Sequence, residues 1–510
     1  MKKVLCLMFS LVFALFLTAC GQDATTTKGG RKTKELDEFW DADKNGVPDW
    51  QEEEVNLTFA TWQYKDPSKP GNENQVTIDT LLLDQFMEKY PNIHVTMQYV
   101  TEAFDEETWN LEIQKISETG ELPDVFLIQR LEKMLTCNAL ADITAYYEHD
   151  DDTEYIFESL QNSGVYDGVR YALPSFVYAE WWIVNLDLLK NAGIKTPGYD
   201  WTWEQMENIA KAVYNDTTHV VGQSGYYQYW KTLPKVLSGE STWASMGYDA
   251  KNNTWNFDNK AFDDAMALMT AALQSNAVTP SYSVNQIAEY FGKTVEQYDL
   301  DNGYNIGYDG YAGIWASPSW TAKDKFSQMS FNWDVYPAPG KVVNGEVIQT
   351  IGGNTDLIGV SSTCAHKAAA YQLLKWMSYS EEGIIARYDD YREYSESLAI
   401  VADNYPYPVA DYGIDENGVN KIWDNIPYTL VPGMTSPEMI NALKNGAFNL
   451  NKETPGWDYT INLHVQPYFI QITTGDTTFS AIKETIVSEG TAAFKEANDE
   501  LKAKIAELQD

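Results

Sequence analysis

Val55-Asn-Leu-Thr-Phe-Ala-Thr-Trp62, Ile93-His-Val-Thr-Met-Gln-Tyr-Val100 and Pro123-Asp-Val125-Phe-Leu-Ile128 set the fold of this 510-residue chain. The first two alternate apolar and polar residues at the two-residue period of a strand, and the third is the short apolar run of a strand buried on both faces. Between them, residues 76–90 place Ile78, Leu81, Leu82, Phe86 and Met87 at helical spacing, and Pro91 ends the run. Residues 104–118 read as a second helix, stopped near Gly120. Strand, helix, strand, helix, strand predicts an α/β fold on a parallel sheet with helices outside it. Ligands of such sheets bind beyond the C-terminal strand ends. Here those ends carry Trp62 and the pair Gln129 and Arg130.

Upstream lies Asp41-Ala-Asp43-Lys-Asn45-Gly46-Val47-Pro-Asp49-Trp-Gln-Glu52. Oxygen-bearing side chains at loop positions 1, 3, 5, 9 and 12, with Gly at position 6, fit the twelve-residue calcium loop of EF-hand type. Val47 would offer its carbonyl at position 7. Pro48 departs from the helix-flanked version and resembles the Asp-rich repeats of extracellular calcium-binding modules. Calcium is therefore expected at Asp41, Asp43, Asn45, Val47, Asp49 and Glu52 in a structural role, and no organic cofactor is expected. Residues 20–40 are polar and read as a flexible tether. Residues 1–19 join Lys2 and Lys3 to an apolar stretch too short to span a bilayer, as in an export signal. The signal ends Leu17-Thr-Ala-Cys20-Gly21, which resembles the lipobox of bacterial lipoproteins. That resemblance implies acylation of Cys20 and anchorage on the outer face of a cell membrane, with a Gram-positive surface expected.

The formal net charge is −38, which repels nucleic acid and is the solubilising coat expected of an exported protein. Of four cysteines, Cys6 leaves with the signal and Cys20 takes lipid; Cys137 and Cys364 are expected as separate thiols. Five histidines without paired spacing give no zinc motif. Aromatic residues make up 14 % of the chain, and flat rings stack on the apolar faces of sugars, although most serve cores.

Further segments carry a resemblance. They are Phe86-Met-Glu-Lys-Tyr90-Pro91-Asn-Ile93-His-Val95, Leu122-Pro-Asp-Val125, Gly168-Val-Arg-Tyr171-Ala-Leu-Pro174, Asn185-Leu-Asp187 through Gly193, and Trp201-Thr-Trp203-Glu204. Gly313 to Ser317, Trp333 to Pro339, Gly352-Gly353-Asn354 and Ala365 to Met377 follow in order. Over roughly residues 55–385 the chain resembles family 1 extracellular solute-binding proteins, which include the maltose-binding proteins. The resemblance implies a periplasmic-binding-protein-like fold of type II, with hinged lobes around a ligand cleft. Lobe 1 would take 55–175 plus about 356–405, and lobe 2 would take 176–352 plus about 406–510. Chain crossings would lie near Ser175–Tyr178 and Gly353–Asp356. It further implies a monomer without catalytic residues that delivers solute to the permease of an ABC importer.

On that frame a sugar site needs stacking rings and planar polar groups. Trp62, Gln129 and Arg130 stand at strand ends, and Tyr178 and Glu180 at the first crossing. Trp230 lies in an aromatic cluster of the second lobe. Trp315, Ser317 and Trp320 stand where the family often places a stacking aromatic. Asn354 and Asp356 lie at the second crossing. Trp181, Trp203 and Trp333 read as core. The rival reading is an exported carbohydrate-active enzyme, since carboxylates are abundant and Glu180 with Asp356 could be drawn as a pair. No Gly-x-Ser-x-Gly, His-Glu-x-x-His or Walker-type motif supports one. A non-sugar cargo and a sensor role keep the same fold.

Overall fold

In a computed structural model, residues 37–509 are described apart from 74, 103–104, 226, 250, 276–277, 280–287, 290–293, 295–305, 322–324, 327–328, 395–404, 428 and 449. The expected signal, Cys20, most of the tether and the expected end of lobe 1 near 405 lie wholly or largely outside the described residues. No described helix is long and apolar enough to cross a membrane.

β1 (Val55–Ala60), β2 (Ile93–Met97) and β3 (Val125–Ile128) form where the alternation placed them, and both β2 and β3 pair with β1 in parallel. α1 (Ile78–Lys89) starts at Thr77, whose side chain and that of Thr80 cap each other's backbone N–H. α2 (Glu106–Thr119) starts at Asp105, which accepts from Thr108 N–H, and stops at Gly120 in the left-handed region at φ 77°. Ile78, Leu82, Leu83 and Phe86 form the buried stripe of α1.

The sheet continues through two long strands. Strand Gly352–Val360 pairs antiparallel with β3 and with strand Ala172–Asn185. The latter runs on to pair with Ala312–Pro318 and Trp333–Tyr336. Strand Val221–Ser224 lies parallel beside Ala312–Pro318. The two expected crossings are thus partners of each other: Asn354 faces Tyr178, Asp356 faces Phe176, and the register slips at Asp356/Leu357. Ala172–Asn185 is buried almost throughout, so period two appears only in what each side chain meets. Val177, Trp181 and Ile183 join one apolar core, Trp182 and Val184 another.

The first core gathers Leu57, Phe86, Ile128 and Trp376; the second gathers Trp203, Met206, Phe262 and Phe469. The chain beyond 406, assigned whole to lobe 2 by sequence, divides between them. Tyr407, Trp423, Met439 and Phe448 join the first core, whereas Ile461, Phe469 and Phe494 join the second. The reason is local: Tyr407 exchanges backbone hydrogen bonds with Val177, and its hydroxyl accepts from Trp181 Nε1 at 3.0 Å. The long helix Phe479–Gln509 is the last element among the described residues.

Candidate functional site

Three of the expected residues converge. Trp62 follows β1, Tyr178 sits on the first crossing strand and Asp356 on the second, and all three line one cavity with Asp79, Arg387 and Tyr391. Trp62 is held edge-on by Trp109, with ring centres 5.7 Å apart at 88°. Tyr178 is held between Phe176 and Trp320, each at a near-perpendicular angle. Trp320 itself is exposed, so it forms a rim to this wall. Burial pushes the Tyr178 hydroxyl well above its usual range, so it stays a neutral donor.

Charged groups line and adjoin the cavity. Lys452 forms an ion pair with Asp356, and its ammonium lies 5.7 Å from the centre of the Trp62 ring. Arg387 lies over Phe176 at 5.0 Å and donates to Met377 O. Burial pushes the Asp79 carboxyl up, against the pull of Arg387 and Thr61. The free volume is about 20 Å³, little more than a single water requires.

The remaining expected residues have other partners. Glu180 accepts from Tyr227 Oη at 2.6 Å and from Lys231 Nζ at 3.1 Å. Burial alone would raise its pKa, but the Lys231 ammonium and the hydrogen bonds from Tyr227 and Gln228 hold it below the usual carboxylate range. Gln129 is buried at the end of β3. Arg130 pairs with Glu106 and with the distant Asp458 at 3.3 Å. Asn354 is half-buried opposite Tyr178.

Three expectations need correction. Trp315 is wholly enclosed in the first core, against Tyr308 and Phe331, and offers no free face. Its neighbour Ser317 is buried and bonded to Tyr308 and Thr321. Trp230 stacks on Phe469 at 4.8 Å and 7°, packed against the second core rather than the cavity. Trp181 and Trp203 are core, as read from sequence. Asp79, Arg387, Tyr391 and Lys452 escaped the sequence reading. Each is a charged or phenolic residue on a helix, which looks like ordinary surface until distant segments meet.

A second cavity, of about 230 Å³, contains none of these residues; Glu158, Ser159, Gln161, Ser241, Tyr248 and Glu453 are among its lining. The acidic loop is ordered by its own backbone. Asp41 accepts from Asn45 N–H and Gly46 N–H, Asn45 from Val47 N–H and Asp49 from Ala42 N–H, all at 2.8–3.1 Å. Gly46 takes φ 88°, the turn a side chain would strain. Carboxylate oxygens of Asp41, Asp43 and Asp49 come within 4.8 Å of one another, and Asn45 bonds Glu52. Cys137 and Cys364 are separate thiols.

Solved structures share this architecture. An ABC substrate-binding protein from Listeria monocytogenes, in complex with cycloalternan, is 19 % identical with a TM-score of 0.53, covering 89 % of this chain and 100 % of that one. A cyclic alpha-maltosyl-1,6-maltose binding protein from Arthrobacter globiformis is 14 % identical with a TM-score of 0.59, covering 87 % and 99 %. A family 1 extracellular solute-binding protein from Bifidobacterium longum subsp. infantis is 16 % identical with a TM-score of 0.58, covering 86 % and 99 %. These likenesses are of fold, that of two-lobed solute-binding proteins. Residues 70–383 match the family described as bacterial extracellular solute-binding protein, and with more than half its length inside that match the chain belongs to this family.

Proposed function

We propose that this protein captures a neutral oligosaccharide at the Trp62–Tyr178–Asp356 cavity and delivers it, chemically unchanged, to the permease of an ABC importer. One observation carries the reading: a ring from just beyond β1 meets a phenol and a carboxylate from the two crossing strands where those strands pair. A ring to stack on and planar acceptors for hydroxyls are what a sugar requires. Similar structures whose names specify cycloalternan or cyclic maltosyl-maltose support a gluco-oligosaccharide class. With only about 20 Å³ free, this reading requires the walls to part before a sugar enters, by a hinge movement of the lobes. The protein works as a monomer, held at the outer face of the membrane by acylated Cys20. Calorimetric titration with a panel of linear and cyclic gluco-oligosaccharides tests the reading. Saturable binding of at least one is expected, and heats at the dilution level for every member of the panel would refute it.

The loop 41–52 is proposed to bind calcium structurally, supported by its ligand spacing and by the carboxylate grouping at Asp41, Asp43 and Asp49. Calcium should raise the melting temperature of the wild type and not that of Asp41→Asn/Asp49→Asn. Equal response, or none, in both chains would remove the ion.

A further inference from the structure

The charge balance of the cavity points to a specificity device. Lys452 comes from the helical turn Leu450–Glu453, far along the chain, yet its ammonium lies 5.7 Å from the centre of the Trp62 ring and pairs with Asp356, both of which line the cavity. Its side chain is 10 % exposed and that of Asp356 8 %, so the pair is almost entirely removed from water. A cation over an indole and against a buried carboxylate occupies the kind of place a ligand ammonium would take. With Lys452 there, Asp356 is neutralised from within. Arg387, on the helix Glu381–Tyr394, is a second cation on the cavity wall, and its charge acts on Asp79. Asp356 is thus paired with a cation of this chain, and Asp79 shares the cavity with another.

We infer that Lys452 is a specificity-determining residue that excludes amine-bearing solutes from the Trp62–Asp356 wall and leaves it to neutral sugars. The inference rests on the proposed site and names the class of ligand it rejects. An incoming ammonium meets the Lys452 charge at short range in a dry setting, where like charges repel strongly. A neutral sugar ring brings no charge for the Lys452 ammonium to repel, so the Lys452–Asp356 pair can stay intact beside it. Without the Lys452 ammonium, Trp62, Tyr178 and Asp356 become an aromatic–carboxylate cage for a primary ammonium.

The test uses two probes of matched size, maltotriose and the trimer of glucosamine, titrated at pH 6 so that the amines are protonated. Wild type should favour maltotriose. Lys452→Met should shift the preference toward the glucosamine trimer by at least about tenfold. Lys452→Met/Asp356→Asn should lose that shift, because the carboxylate that attracts the amine is gone. Lys452→Gln replaces Lys452→Met should near-ultraviolet circular dichroism show the latter unfolded. A wild type that binds both probes equally overturns the inference, as does an unshifted preference in the single variant or a shift that survives in the double one. If wild type binds neither probe, the gluco-oligosaccharide reading is the one in trouble. Gain of amine binding in Lys452→Met still upholds the role of Lys452, and its absence still overturns it.

Discussion

Lys235 offers a stability prediction with a definite slope. It lies in the helix Leu233–Ser238, only 3 % exposed, and its ammonium donates to Gly446 O at 2.8 Å and Ser241 O at 3.4 Å. It thus ties the second-core helices to the segment leading into Phe448. Burial pulls its pKa down to about 7, offset only partly by Glu158. In the unfolded chain the same lysine titrates near 10.5. Between these values the unfolded state binds one more proton than the folded state, so stability rises with pH across the window. One proton is worth about 1.4 kcal/mol per pH unit, so the gain from pH 7.5 to 9.5 is about 2.7 kcal/mol. Cys364, pushed up to about 12 by burial, acts in the opposite direction above roughly pH 8.5. Asp390, raised to about 6 chiefly by burial, has finished titrating below the window. Both groups are shared with Lys235→Met, so subtracting the two chains isolates the lysine. Urea unfolding of wild type and Lys235→Met at pH 7.5, 8.5 and 9.5 measures the difference. The wild type should gain about 2.7 kcal/mol on the variant across that range. A difference that stays flat within about 0.5 kcal/mol would mean that Lys235 is charged and satisfied in the fold, and the reasoning would fail.

Other substitutions separate core from site. Trp315→Ala should cost about 3–5 kcal/mol in urea unfolding, because the ring is fully enclosed; a loss below about 1 kcal/mol would return it to a surface role. Lys231→Met leaves Glu180 buried without its cation and should cost about 3–5 kcal/mol at pH 7. Glu180 is held below its usual pKa of 4.5, so this cost should shrink as the pH falls below that value and the folded carboxyl protonates. A cost that stays constant from pH 7 to about pH 3 would show that charge pairing at Glu180 is not its source.

The sequence made the opening βαβαβ segment legible because β1, α1, β2 and α2 each bury one face, and one-sided burial leaves a period, while β3 stands out as a short apolar run bounded by Pro123. Strand Ala172–Asn185 is buried on both sides, so Trp181 and Trp182 look alike in sequence although they enter different cores. Trp315 was misread for the same reason: an indole in a doubly covered strand has no mark that tells it from a stacking platform. Trp62, Tyr178 and Asp356 could be found because strand ends and crossing points are positions topology defines. Lys452 and Arg387 could not, since a charged residue on a helix reads as solvated surface. Lys452 reaches Asp356 from 96 residues away, a contact that periodicity does not encode. The C-terminal region divided between cores because the pairing of Tyr407 with Val177 is a backbone event without a sequence signature.

Binding of an intact oligosaccharide at Trp62 is the central claim. Its most direct test is a fluorescence titration of wild type and Trp62→Ala with the tightest-binding gluco-oligosaccharide, followed by mass analysis of the recovered sugar. Saturable quenching or enhancement in wild type, at least about tenfold weaker binding in the variant and a sugar of unchanged mass are the predicted results. Equal affinity in the two chains, or recovery of shortened sugar, would contradict the account.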